Sequence, residues 1–218
     1  MTPWPDKPSL HLLAEGAVWL EDCHTLVVAD VHLGKAAAFR ARGLPVPEGD
    51  NARDLERLRA LCEKRAARQL VIAGDFFHSP SGMSSELERM LGDFLTSLQI
   101  PVLLVIGNHD AGLAKLPATL QTCAAHGIPG IRVIHDPADA VPGMLNLAGH
   151  WHPVVRIPDG RRTSLRLPCF LLRGDLLVLP SFGSFTGGAV IDRHPGDRHF
   201  VTLRDQVIEL PPDLIPKF

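Results

Sequence analysis

Tyrosine is absent from this chain of 218 residues, and aromatic residues make up only 6% of it. A broad aromatic platform for unpaired bases is therefore not expected. Cysteine is sparse too. Cys23, Cys62, Cys123 and Cys169 lie far apart and form no CxxC pair and no zinc-ribbon spacing. That argues against a disulfide framework and for free, mostly buried thiols. No apolar run reaches membrane-spanning length. The first nine residues are polar and proline-rich, without the apolar core of a signal peptide. A soluble, cytoplasmic protein is the expectation, with no membrane partner. Neither sign of charge dominates: the formal net charge of -2 provides no global basic field, although a local patch can still meet nucleic acid.

What is present is enough apolar material, 45%, for one substantial core. The expectation is a single domain over residues 1–218, with peripheral proline-rich tails at 1–9 and 211–218. Residues 17–20 and 26–29 read as a hairpin or two adjacent strands. Leucines at 55, 58 and 61 give residues 55–70 helical periodicity. Gln69–Ala73 reads as a strand. Ser84 or Ser85 can cap a helix running to about Leu98, with Glu88 at capping-box distance from Ser85. Residues 100–106 form a β-branched run, and 115–125 read as a further helix. Short strands follow at 131–134 and 145–148. Beyond them come 162–167, 169–172, 176–179, 189–192 and 199–203, punctuated by Gly and Pro and mostly antiparallel. The first two-thirds alternates short strands and helices, as an α/β layered fold does.

Metal-binding residue types recur where these apolar runs stop. Asp30 and His32 offer a carboxylate and an imidazole, donors suited to manganese, iron or zinc. Asp75 follows Gly74, and its two oxygens can bridge two cations. Asn108 offers an amide oxygen after Gly107, while the adjacent His109 is free for acid–base work on a leaving oxygen. Asp110 can orient that ring or hold the turn. His135 follows a strand directly, which favours it over His126 in its His-Gly turn. His150 and His152 flank Trp151, which can wall a cleft or simply pack. Singly, each has an ordinary turn or surface explanation; together they indicate a metal centre at a sheet edge, where open α/β sheets bind ligands.

The order D-x-H, GD, GNHD, H, GHxH resembles the calcineurin-like metallophosphoesterases over residues 25–153. The resemblance implies two divalent metals, most often manganese, with iron or zinc possible, in an α/β/β/α sandwich. It assigns Asp30, His32 and His152 to one ion and Asn108, His135 and His150 to the other. It also makes Asp75 the bridge and His109 the acid or transition-state contact. A narrower likeness, to the DNA ligase-associated metallophosphoesterases described as DNA damage response endonucleases, rests on three motifs. These are Ala29-Asp30-Val31-His32-Leu33-Gly34-Lys35, Gly74-Asp75-Phe76-Phe77-His78-Ser79 and Gly149-His150-Trp151-His152-Pro153, joined by the run at 179–188. Ser181 stands where that group has alanine, and Trp151 where leucine is common; neither is a ligand. That likeness implies a manganese phosphodiesterase acting on DNA or RNA, single-stranded by expectation, in DNA repair beside a ligase and a helicase.

Lys35, His78, Arg156 and Arg162 are the candidate substrate contacts, because they flank the first, second and last motifs. Arg40, Arg42, Arg161, Arg166 and Arg173 add to the local positive charge. A phosphatase for nucleotides or small phosphoesters uses the same centre and is the main alternative. A metal-binding scaffold without activity is disfavoured by the full donor set. No long cap insertion separates the motifs, which favours open access.

Overall fold

The computed structural model describes residues 2–4, 7–47, 49–113, 116–158 and 163–215. Two mixed sheets lie face to face. The first contains β1 (Thr2–Trp4), β2 (Lys7–Leu13), β3 (Ala17–Leu20), β4 (Thr25–Val28), β5 (Gln69–Ala73), β6 (Val102–Val105) and β7 (Gln121–Cys123), in that spatial order. Its first four strands are antiparallel, and β4 to β7 are parallel. The second contains β8 (His126–Ile128), β9 (Ile131–Val133), β10 (Leu145–Ala148), β11 (Pro153–Pro158), β12 (Ser164–Arg173), β13 (Leu176–Val178), β14 (Ala189–Val190), β15 (Arg198–Leu203) and β16 (Gln206–Leu210). Within it β9, β10 and β13 run parallel.

Side chains alternate across a strand, so each sheet sorts its residues between two cores. Leu26, Leu70, Ile72, Val102 and Leu104 face the helices α2 (Asp50–Lys64) and α3 (Ser85–Leu98), which bury Leu55, Leu58, Leu61, Leu87, Leu91 and Phe94 against them. Val27, Val71, Ala73, Leu103 and Val105 point the other way, onto Val133, Leu147, Phe170, Leu177 and Leu179 of the second sheet. The outer face of the second sheet is closed by Ala125, Ala140, Trp151 and Ile191; no helical residue joins that cluster among those described. Ser84, rather than Ser85, caps α3 by accepting from the Leu87 amide at 3.2 Å.

Three expectations change. Residues 2–4 and 7–13 are not a tail: β1 pairs antiparallel with β2 as the edge of the first sheet, and β2 pairs in turn with β3. No helix forms over the described part of 115–125. Leu120 closes a turn onto Pro117, and Gln121–Cys123 joins β6 instead, sheet pairing overriding local propensity. The strands expected at 162–167 and 169–172 are one strand, β12, which pairs with β11 up to Pro168 and with β13 and β15 after it. At the C-terminal side, Ile215 is buried against Val155 and Cys169. No described helix is long and apolar enough to cross a membrane.

Candidate metal centre

The parallel strands β4, β5, β6, β9 and β10 all end on one edge of the sandwich. Asp30 and His32 follow β4, Asp75 follows β5, Asn108 and His109 follow β6, His135 follows β9, and His150 and His152 follow β10. Asp30, His32, Asp75 and His135 are buried there.

Donor atoms sharing a cation at about 2.0–2.2 Å stand roughly 3–3.5 Å apart. In one group His32 Nε2 lies 3.3 Å from His152 Nε2, which lies 3.3 Å from Asp30 Oδ1. In a second group His135 Nε2 lies 3.1 Å from His150 Nδ1, 2.9 Å from Asn108 Oδ1 and 3.5 Å from Asp75 Oδ1. Asp75 spans both groups, because its Oδ2 is 3.8 Å from His32 Nε2. Carboxylate, amide and imidazole donors in this mixture suit a manganese-, iron- or zinc-type ion. His32, His78 and His109 make a third close group, which shares His32 with the first.

Three imidazoles are held by backbone carbonyls. Nδ1 of His135 donates to Ala73 at 3.1 Å, Nδ1 of His152 to Gly187 at 3.1 Å, and Nδ1 of His109 to His78 at 2.5 Å. Each contact fixes the tautomer that leaves Nε2 bare toward the centre. His109 Nε2 stands 4.0 Å from Asp75 Oδ2, and its backbone N–H donates to Asp75 Oδ1 at 2.9 Å. His109 is therefore set beside the two donor groups rather than within either.

The backbone is strained at the same places. Nine described non-glycine residues have positive φ, and five of them are Asp30, His32, Asp75, His150 and His152. Left-handed conformations cost non-glycine residues free energy and persist where the surroundings fix them. A Cβ on Gly74 would collide with His135, one on Gly107 with Asp75, and one on Gly149 with Asp30. The glycines that precede the ligating residue types thus clear space for a donor from the neighbouring strand.

Burial sets the charges. Burial, and then the neighbouring His152 and Lys35, push His32 down to about 2, so it stays a neutral lone-pair donor. Burial also raises Asp75. For His152 burial acts downward, but the contacts with Asp30 outweigh it and hold the imidazole above its ordinary value. Asp110 is pushed up to about 6 by burial and accepts from the Phe77 and Gly107 amides at 2.9 and 3.0 Å, holding the turn.

The model for the calcineurin-like phosphoesterase family matches residues 23–165, the stretch that carries all of these groups. The chain belongs to that family. It is a metal-dependent phosphoesterase of α/β fold. The crystal structure of Pseudomonas putida nuclease MPE is similar at 32% identity and a TM-score of 0.78, covering 92% of this phosphoesterase and 94% of that chain. Yfce, a phosphoesterase from E. coli, aligns over 88% of this chain and 99% of its own at 16% identity and a TM-score of 0.44, too distant to add weight. No curated protein matches in sequence.

Of the candidate substrate contacts, Lys35 opens α1 (Lys35–Ala41), half-buried, and its charge acts on His32, His78 and His152. His78 stacks on His109 with ring centroids 5.1 Å apart. Burial, and then Lys35, bring it down to about 4. Arg156 is exposed on β11 and bonds Ser164 Oγ at 2.7 Å. Arg162 lies outside the described residues. Arg173 forms a two-pronged pair with Asp197 at 2.9 and 2.8 Å and lies over the Trp151 ring, 5.6 Å from its centroid.

Sequence reasoning missed the support behind the site. Asp54 of α2, 3% exposed, accepts from the Ser184 amide at 2.8 Å and hydroxyl at 3.1 Å, and from Arg57 at 2.8 Å. Arg57 also donates to the Phe182 carbonyl at 3.1 Å and lies over the Phe182 ring. The signal was present: Asp54 falls on the repeat 54, 58, 61 that faces the core. Gly183 beyond it donates to the Asp30 carbonyl at 3.2 Å.

Proposed function

We propose that this phosphoesterase hydrolyses phosphodiester bonds in nucleic acid, single-stranded by preference, using two manganese ions. Asp30, His32 and His152 would hold the first ion and Asn108, His135 and His150 the second, with Asp75 shared between them. The observation that carries this reading is the placement of the Asp75 oxygens, one toward each donor group, with His109 Nε2 beside them. Bound there, the cations would supply Lewis acidity and a nucleophilic water of lowered pKa.

His109 protonates or stabilises the departing oxygen. Because Nδ1–H is spent on the His78 carbonyl, Nε2 donates only when the ring carries a second proton. Lys35 contacts a substrate phosphate, and His78 and the exposed Arg156 flank the path of the strand. The likeness to a nuclease over nine-tenths of both chains supports a polymeric substrate. A role in DNA repair in the cytoplasm, alongside a ligase and a helicase, extends from the same likeness.

The test compares bis(p-nitrophenyl) phosphate, p-nitrophenyl phosphate and a single-stranded oligonucleotide in the presence of manganese, with Asp75→Asn as control. Cleavage of the diester and the oligonucleotide is expected. Hydrolysis of the monoester alone would overturn the phosphodiesterase reading and favour a small-molecule phosphatase.

A further inference from the structure

Phe39 and Phe185 are the only phenylalanines among the described residues that are not buried; Phe76, Phe77, Phe94, Phe170, Phe182 and Phe200 all lie in the cores. The two half-buried rings touch each other, with centroids 5.8 Å apart and planes at 75°. Phe39 also meets the ring of His78 edge-on at 5.9 Å, and His78 stacks on His109. An unbroken aromatic row thus leads from solvent to the imidazole beside Asp75.

A further feature gives the row a direction. Lys35 and Phe39 are four residues apart on α1, so cation and ring lie on one helical face. A surface with a cation at one position and half-buried aromatic rings next to it matches a nucleotide. It takes phosphate on the cation and base on the rings. The loop that carries Phe185 is anchored through Ser184 to the buried Asp54, so the ring is presented by fixed backbone.

We infer that Phe39 and Phe185 form a nucleobase-stacking subsite next to the scissile phosphate, with Lys35 on the adjoining phosphate. The inference rests on the nucleic-acid reading above and adds to it the residues that recognise a base without regard to sequence. It makes the protein prefer unpaired strands, whose bases are free to leave the stack.

The test uses manganese-loaded wild type and the Phe39→Leu, Phe185→Leu double variant, which keeps apolar volume at both positions. Binding of a non-cleavable phosphorothioate oligonucleotide containing 2-aminopurine is followed by fluorescence. In parallel, KM and kcat are measured for an ordinary oligonucleotide and for one made abasic along its length. The expected result is a fluorescence change in wild type that the variant lacks, and about a tenfold rise in dissociation constant and KM. The value of kcat, the bound manganese, the melting temperature and the KM for the abasic strand should stay as in wild type. Equal affinity of both proteins for the base-bearing strand would overturn the subsite. Stacking without any cleavage by wild type would instead overturn the proposed nuclease reaction and leave the subsite standing.

Discussion

The Asp75 carboxylate occupies the space that a side chain on Gly107 would need. Two neighbouring parallel strands, β5 and β6, therefore impose composition on each other at the edge where their donors meet. Gly107→Ala should push Asp75 out of its place between the two groups. The expected outcome is about a 100-fold loss of kcat/KM, the scale of an ångström misplacement at a reacting centre. Metal content by mass spectrometry should fall with it.

His109 and Asp75 touch through the His109 amide, yet they should separate in a metal titration. His109→Ala is expected to lower kcat by about 10²- to 10³-fold with bound manganese unchanged, the range for loss of one acid–base group. Asp75→Asn should lose both turnover and metal. Equal metal loss in the two variants would contradict the division of roles.

Asp54 tests whether the support behind the site matters. Asp54→Ala strips the Ser184 amide and Arg57 of a shared acceptor and should cost about 2 kcal/mol in urea unfolding. Asp54→Asn keeps an acceptor oxygen and should recover part of that. KM for an oligonucleotide should rise in Asp54→Ala, because Ser184 precedes both Phe185 and the Gly187 carbonyl that steadies His152.

These contacts also show where sequence patterns stop being legible. The donors at strand ends stand out because they recur where apolar runs stop, whereas the runs at 26–29, 70–73 and 102–105 are apolar throughout and do not reveal which residue faces which core. The prolines at 3 and 8 hide β1 and β2, because a residue without a backbone N–H reads as a strand breaker. Leu116 and Leu120 suggest a helix that Pro117 and pairing with β6 override. Arg173 reads as a free cation next to the last motif. Its pairing with Asp197, 24 positions away, depends on how β12 meets the loop before β15, which no local pattern encodes.

That pair gives a pH prediction. Burial alone would raise Asp197, but Arg173 and the His194 amide outweigh it and hold the carboxyl below its ordinary value of 3.8. A depressed folded pKa means the contribution is complete above the unfolded value and lost as pH falls through the folded one. Asp197→Ala should cost about 2 kcal/mol at neutral pH, as expected when the half-buried Arg173 loses the carboxylate it hydrogen-bonds. Its urea midpoint should fall less steeply than that of wild type below about pH 4.

The bond from His152 to the Gly187 carbonyl has a consequence for synthesis. The donor residues are all present once residue 152 has been made, yet the carbonyl that aims His152 lies 35 positions later, and β15, which pairs with β12, later still. Contacts this distant form only after the intervening chain is available. A nascent chain halted short of residue 187 therefore carries the full set of donors with no aligned centre, and premature products should be inert rather than destructive.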